Sequence, residues 1–409
     1  MNKTRLRNYA RLIARKGANI QKGQDVLIYA DLDQPEFVKM LVEECYRAGA
    51  RRVQLEWQFE PLEKLHASYQ SEETLGETRS WEKAKLQHMV DTLPARIYLE
   101  SADPDGLAGI AQPKYTNAMQ RKAAVRKPYR DAIEGKHQWC IAAVPGAAWA
   151  KKMFPALRKN QAVEHLWEEI LSVSRANGDG EANWRAHNAA LKARCDYLNA
   201  LDLRTFRYRS ANGTDLSVGL IGGAKFLGGS EDTVQGVEFN PNIPSEEIFT
   251  SPHAAKTEGI VYSTKPLSFM GQLIENFSVR FEGGRAVEVK AEQGEALLRQ
   301  MISMDENACR LGEVALIPKE SPISASGLLY YNTLFDENAS CHLAFGDGFE
   351  GCFADYDSVE RAVLDGRGLN NSIIHVDFMI GCDDMDIDGI TADGRTVPIF
   401  RSGSWAFDV

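Results

Sequence analysis

No stretch of the 409 residues approaches the ~18 consecutive apolar residues of a membrane-crossing helix, so no membrane partner is expected. Cys-x-x-Cys is absent too, and the seven cysteines, at positions 45, 140, 195, 309, 341, 352 and 382, are odd in number and scattered. That usage suits reduced thiols and argues against both a disulfide framework and a thiolate zinc site, so any metal here has hard ligands. Positive charge is not in excess: 47 Lys and Arg against 57 Asp and Glu leave a formal −10, which argues against nucleic acid as a partner. Neither His-Glu-x-x-His nor Gly-x-Ser-x-Gly occurs, which removes the common zincin and serine-hydrolase signatures. The opening Met1-Asn-Lys-Thr-Arg-Leu-Arg is charged and lacks the apolar core of a secretory signal, so a cytoplasmic location is expected.

What remains is an ordinary globular composition, 44% hydrophobic and 25% charged, in a chain long enough for two domains. Gly23–Ala30 reads as a buried strand, Pro35–Ala48 as a helix closed by Gly49, and Arg52–Trp57 as a second strand, which makes a βαβ unit. The alternation continues through Ala95–Glu100 and Gln138–Val144, so residues 1–190 are expected to form an α/β domain around an open, mainly parallel sheet. No Gly-rich phosphate loop follows the first strand, so nucleotide binding is not expected there. Beyond residue 190 the texture changes to short β-rich runs with Gly-containing turns, among them Phe206–Arg209, Asp215–Leu220, Gly259–Ser263 and Asn276–Phe281. Residues 191–409 are therefore expected to be a mainly antiparallel, β-rich α+β catalytic domain, interrupted by one helix at about Gly294–Met304.

The chemistry gathers in that second half. In Ser372-Ile-Ile-His-Val-Asp-Phe-Met-Ile380, strand alternation puts His375 and Asp377 on one face, two divalent-metal ligand types inside an apolar run. An unpaired carboxylate there is costly unless a cation or hydrogen bonds compensate it. Glu246, Glu247, Glu275, Glu313 and Glu337 recur in apolar or turn-rich surroundings, and His253, His342 and His375 are the histidines after residue 190. Taken singly each carboxylate is as ordinary as a helix cap; together with His342 and His375 they suit an oxygen-rich site for zinc, cobalt or manganese. His253, in Ser251-Pro-His-Ala, reads as a loop residue rather than a ligand. Gly346-Asp-Gly-Phe-Glu-Gly351 imitates a dinucleotide loop, but it follows a metal-type histidine instead of opening a βαβ unit, and Gly366 and Gly368 interrupt what should be helix. Asp384-x-Asp386-x-Asp388 imitates a calcium loop, but Arg395 stands where the closing Glu is needed, so a polar turn is expected.

The runs Pro241-Asn-Ile-Pro-Ser-Glu-Glu-Ile-Phe-Thr250, Leu311-Gly-Glu-Val-Ala-Leu-Ile-Pro318, Tyr331-Asn-Thr-Leu-Phe-Asp-Glu-Asn-Ala-Ser-Cys-His342, Ile374-His-Val-Asp-Phe-Met-Ile-Gly381 and Asp388-Gly-Ile-Thr-Ala-Asp-Gly394 resemble the M29 metalloaminopeptidases, the aminopeptidase T/S family. The resemblance is dense from about 241 to 405 and looser but collinear before that. It implies that Glu247, Glu313, His342, His375 and Asp377 ligate two divalent cations, with Glu313 bridging. It makes Glu337 a further site carboxylate, either ligand or general base, and in the mechanism expected of such a centre Glu337 or Glu246 moves the proton of a metal-activated water. It also implies short peptide substrates with a free N-terminus and a homodimer. One departure stands out: where the family carries a tyrosine seven residues after the metal-binding histidine, this chain has Phe349. If that hydroxyl steadies the tetrahedral intermediate, its loss costs roughly 100- to 1000-fold in turnover. The alternatives are a weakly active or inactive homologue that binds a peptide or amino acid, and a different metal-dependent reaction on the same scaffold.

Overall fold

A computed structural model describes residues 2–270 and 272–409. They form two compact units, Met1–His187 with Ser230–Ser245, and Asn188–Gly229 with Glu246–Val409. The first is built on strands β1 (Asp25–Asp31), β2 (Arg52–Gln58), β3 (Ala95–Glu100) and β4 (Trp139–Ala143), in the order β2-β1-β3-β4 and all parallel. Val26, Leu27, Ile28 and Ala30 of β1 are buried in near-continuous succession, as expected of a parallel strand covered on both faces. The two-residue strand Asn242–Ile243 adds in parallel beside β4, so residues 230–245 return to the first unit, a return that a single boundary near residue 190 does not include. Among the described residues no helix is long and apolar enough to cross a membrane.

The second unit holds a nine-stranded antiparallel sheet, which includes Leu203–Arg209, Asp215–Leu220, Pro252–Tyr262 and Gln272–Glu282, and a smaller four-stranded one. The α/β plus antiparallel fold class read from the sequence is the one observed. Helical structure here is richer than the single helix expected: besides Glu295–Met301 there are Arg361–Arg367 and two short turns, Pro322–Ala325 and Thr333–Asp336. Helix Arg361–Arg367 runs through Gly366 and closes on Gly368 at φ +114°, so the first glycine lies inside a helix and the second ends it.

The small sheet consists of β5 (Ile248–Thr250), β6 (Leu311–Leu316), β7 (His342–Gly346) and β8 (His375–Met379), ordered β5-β6-β7-β8 and antiparallel throughout. Alternation divides it cleanly. Val314, Leu316, Leu343, Phe345 and Phe378 join the core that also contains Phe206, Tyr208 and Val218 of the large sheet. The register His342↔Met379, Ala344↔Asp377 and Gly346↔His375, with Glu313↔Ala344 across the other edge, gathers polar side chains with small ones on the opposite face. Ala344 and Gly346 are the small cross-strand neighbours of Asp377 and His375. Gly346 is also required by its backbone: at φ +100° an added Cβ would lie 2.1 Å from the Ile374 carbonyl oxygen. Gly346→Ala is expected to cost at least about 2 kcal/mol of stability, combining backbone strain with a clash against main chain that cannot step aside. Urea unfolding measures it; a parental midpoint and slope would refute the close approach.

Candidate metal centre

Strand positions carry the sequence-derived residues onto one face. Glu247 stands directly before β5, Glu313 lies on β6, His342 opens β7, and His375 and Asp377 lie two apart on β8. They form two groups, Glu247 with Glu313 and His342, and Glu313 with His375 and Asp377, and within each group the ligand-type atoms lie within 4.8 Å of one another. Glu313 belongs to both. His375 Nε2 is 3.1 Å from Glu313 Oε2 and 3.3 Å from Asp377 Oδ1, while His342 Nε2 is 3.5 Å from Glu247 Oε2 and 4.0 Å from Glu313 Oε2.

Both imidazoles are aimed by backbone carbonyls. His342 Nδ1 donates to the Glu337 carbonyl at 2.9 Å, and His375 Nδ1 donates to the Asp347 carbonyl at 2.8 Å. A carbonyl only accepts, so Nδ1 carries the proton in each ring and Nε2 is the nitrogen turned toward the carboxylates. Partners of this kind are what metal-binding histidines use to fix tautomer and ring orientation.

The centre is buried, with Glu313, His342 and Asp377 nearly closed off from solvent. Burial opposes charge on both His375 and Asp377, yet their mutual attraction prevails: the imidazole pKa is raised well above its ordinary value and the Asp377 carboxyl is held below its own. Asp377 Oδ1 nevertheless has no hydrogen-bond partner, so its short approach to His375 is charge attraction without hydrogen-bond geometry. Among the described residues neither Glu313 nor Asp377 has a lysine or arginine ion partner. Buried carboxylate oxygens, two imidazole nitrogens and an orphaned oxygen fit a divalent cation by the chemistry of the donor set.

The remaining residues read from the sequence fall as follows. Glu337 and Glu246 belong to neither group. Glu337 lends its carbonyl to His342, and its Oε1 accepts from Asn338 Nδ2 at 3.4 Å. Glu246 is buried, and its backbone N–H donates to Asn338 Oδ1 at 2.6 Å. Glu275 lies on strand Gln272–Glu282 opposite Gln293. His253 is the second residue of strand Pro252–Tyr262 rather than a loop residue, because pairing with the large sheet starts at Pro252↔Leu220; its Nδ1 accepts from the Ala255 N–H. Asp384 accepts from Ser210 and Ala211, and Asp388 pairs with Arg401, so these acids serve turns and strand edges. Phe349 does lie at the centre: its ring centroid is 4.8 Å from that of His375 and 5.0 Å from that of Phe249. Sequence reasoning missed Asn338, Asp347 and Arg361. Asp347 contributes through its main chain, which leaves no residue-type signal.

The family model for the thermophilic metalloprotease family M29 matches residues 2–405. Aminopeptidase AmpS of Bacillus subtilis (strain 168) is 41% identical over 405 residues, covering 98% of each chain. Aminopeptidase T of Thermus thermophilus is 39% identical over 405 residues, again 98% of each. The solved structure of wild-type AmpT from Thermus thermophilus aligns with a TM-score of 0.89 at 38% identity, over 99% of this chain and 100% of that one. A 2,5-dihydroxypyridine dioxygenase from Pseudomonas putida KT2440 aligns with a TM-score of 0.50 at 12% identity, over 99% and 97%, which is a likeness of fold alone.

Proposed function

The chain belongs to the M29 metalloprotease family, and from that premise we propose that it is a metal-dependent aminopeptidase removing N-terminal residues from short peptides with a free α-amine. The observation that carries this reading is Glu313, one buried carboxylate shared by two ligand groups. Glu247, Glu313, His342, His375 and Asp377 would hold two divalent cations, and zinc, cobalt and manganese all suit such a donor set. When bound, the cations supply Lewis acidity toward the scissile carbonyl and lower the pKa of a water. The chain does the rest. The Glu337 and Asp347 carbonyls hold the two imidazoles with Nε2 inward. A carboxylate, Glu337 or Glu246, takes the water's proton and returns it to the leaving amine.

Hydrolysis of matched free and N-blocked peptides, by protein stripped with chelator and resupplied separately with zinc, cobalt or manganese, tests the reading. Cleavage of unblocked peptides alone, dependent on added metal, is expected; cleavage of blocked peptides at equal rate would end it. Glu337→Gln is expected to lower kcat by about 100-fold or more while both metal equivalents stay bound. Normal turnover with weakened metal binding would make Glu337 a ligand instead.

A weakly active homologue is the second reading, and Phe349 against the His375 ring favours it, since this side chain carries no hydroxyl. Phe349→Tyr is expected to raise kcat by roughly 100-fold, the worth of one donor to a developing oxyanion. No gain in a folded, metal-loaded variant would remove this account of Phe349. The proposal also takes the enzyme as a cytoplasmic homodimer. Seven free thiols, six of them buried, suit a reducing compartment, and the exposed side chains of Trp57, Phe59, Leu62, Leu65 and Tyr69 offer an apolar surface to a second copy.

A further inference from the structure

Arg361, the first residue of helix Arg361–Arg367, turns all three nitrogens of its guanidinium inward. Nη2 donates to Asp347 Oδ1 at 2.7 Å and to the Asn370 carbonyl at 2.6 Å, Nη1 to Glu350 Oε1 at 2.9 Å, and Nε to Asp365 Oδ1 at 2.7 Å. The side chain is only 20% exposed. A helix-to-loop staple would account for such bonds by itself. The segments that Arg361 joins matter to His375, because one packs against its imidazole and the other leads directly into its strand.

On one side is the loop after β7. The Asp347 carbonyl accepts the hydrogen bond from His375 Nδ1–H, the Asp347 N–H donates to the Ile374 carbonyl at 2.6 Å, and Phe349, between Asp347 and Glu350, packs its ring at a tilt against the imidazole. On the other side is the turn leading into β8. The Ser372 N–H reaches the same Asp347 Oδ1 at 3.2 Å, and Asn370 Nδ2 donates to the Gly346 carbonyl at 2.6 Å. Asp347 thus carries the guanidinium on its side chain and the imidazole on its main chain.

We infer that Arg361 is a positioning residue of the metal centre: by pinning residues 347–350 and 370–372 it fixes the aim of His375, so that Nε2 faces Glu313 and Asp377. This rests on the proposed metal-binding reading of the cluster. The imidazole can turn about its own bond, and only a carbonyl held in place keeps Nδ1 protonated and Nε2 inward. A planar fork satisfying four acceptors has a geometry that a lysine ammonium does not reproduce. Outer partners of this kind set metal affinity by about 10- to 100-fold.

The test uses the full-length protein with Arg361→Met, Arg361→Lys and Asp347→Asn, the last keeping the carbonyl that His375 needs while cutting the ionic bond to Arg361. Zinc affinity is measured by calorimetry, and exchange of the downfield His375 Nδ1–H resonance by NMR with and without zinc. Arg361→Met is expected to raise the zinc Kd by about 10- to 100-fold and to speed Nδ1–H exchange by at least about tenfold. Arg361→Lys is expected to recover only part of both, and Asp347→Asn to move both in the same direction by a smaller factor. A parental Kd with a protected Nδ1–H in Arg361→Met, at whatever melting temperature, would overturn the inference and leave Arg361 as a staple. Should that variant fail to fold, Asp347→Asn decides by the same two readouts. If the parent protein binds no zinc, the metal reading fails while the Nδ1–H comparison still decides the role of Arg361.

Discussion

Glu313→Ala is expected to abolish binding of both metal equivalents and to lower peptide hydrolysis by about a thousandfold or more. Both ligand groups contain this carboxylate, so its removal leaves each with two donors, fewer than a stable site for a hard divalent cation requires. Metal ions contribute several kcal/mol of transition-state stabilisation, and at ~1.4 kcal/mol per tenfold in rate, losing both accounts for three orders of magnitude. Fold loss is not the expected cause. β6 already carries Ala315 and Gly312 among its buried residues, and the core face of the strand, Val314 and Leu316, is untouched. Glu247→Ala and Asp377→Ala form the contrast, because each belongs to one group only and each is expected to leave one equivalent bound. Metal content by mass spectrometry, read beside kcat/KM, separates the cases. One retained equivalent in folded Glu313→Ala, with activity within tenfold of the parent, would show that the carboxylate is not shared.

Much of this centre was legible because β alternation is a two-residue rule. His375 and Asp377 announce a common face without any knowledge of what lies opposite, and Glu313 stands out as one acid in a strand whose six residues are all buried. Which strands would be neighbours was not legible. β5, β6, β7 and β8 are separated by long connections, and the register that brings Ala344 opposite Asp377 exists only in the folded sheet. The resemblance to a family, rather than periodicity, supplied that grouping. The carbonyls of Glu337 and Asp347 were beyond reach for a different reason: every residue has one, so only the folded path shows which imidazole it meets. Arg361 was hidden in the same way, its acceptors lying up to fourteen positions away in the chain. In the first unit, the strands Ala95–Glu100 and Trp139–Ala143 were readable from their apolar runs, whereas the two-residue strand Asn242–Ile243 is too short to have a period at all.

Stripping the protein with a chelator is expected to lower the melting temperature of the second unit by about 10 °C, and the gap between stripped and zinc-loaded protein is expected to widen as pH rises. A ligand at a thousand times its Kd stabilises the folded state by about 4 kcal/mol. For a unit of roughly two hundred residues each kcal/mol is worth about 2–4 °C. The pH dependence follows from His375. In the metal-free protein its folded-state pKa is raised, chiefly by Asp377 and Glu313 acting against burial. A group of that kind stabilises the fold below its unfolded pKa, and the gain is lost as pH rises through the folded value. The stripped protein therefore loses a favourable imidazolium pair on alkalinisation. Metal binding needs Nε2 unprotonated, so the loaded protein gains affinity over the same interval. The two trends are opposite in sign, and their difference grows. Differential scanning calorimetry of both forms at about pH 6 and pH 8 measures it. Equal melting temperatures at both values would mean that the cluster holds its proton rather than a cation, and would turn the buried His375–Asp377 pair into the structural element that closes this face of the sheet.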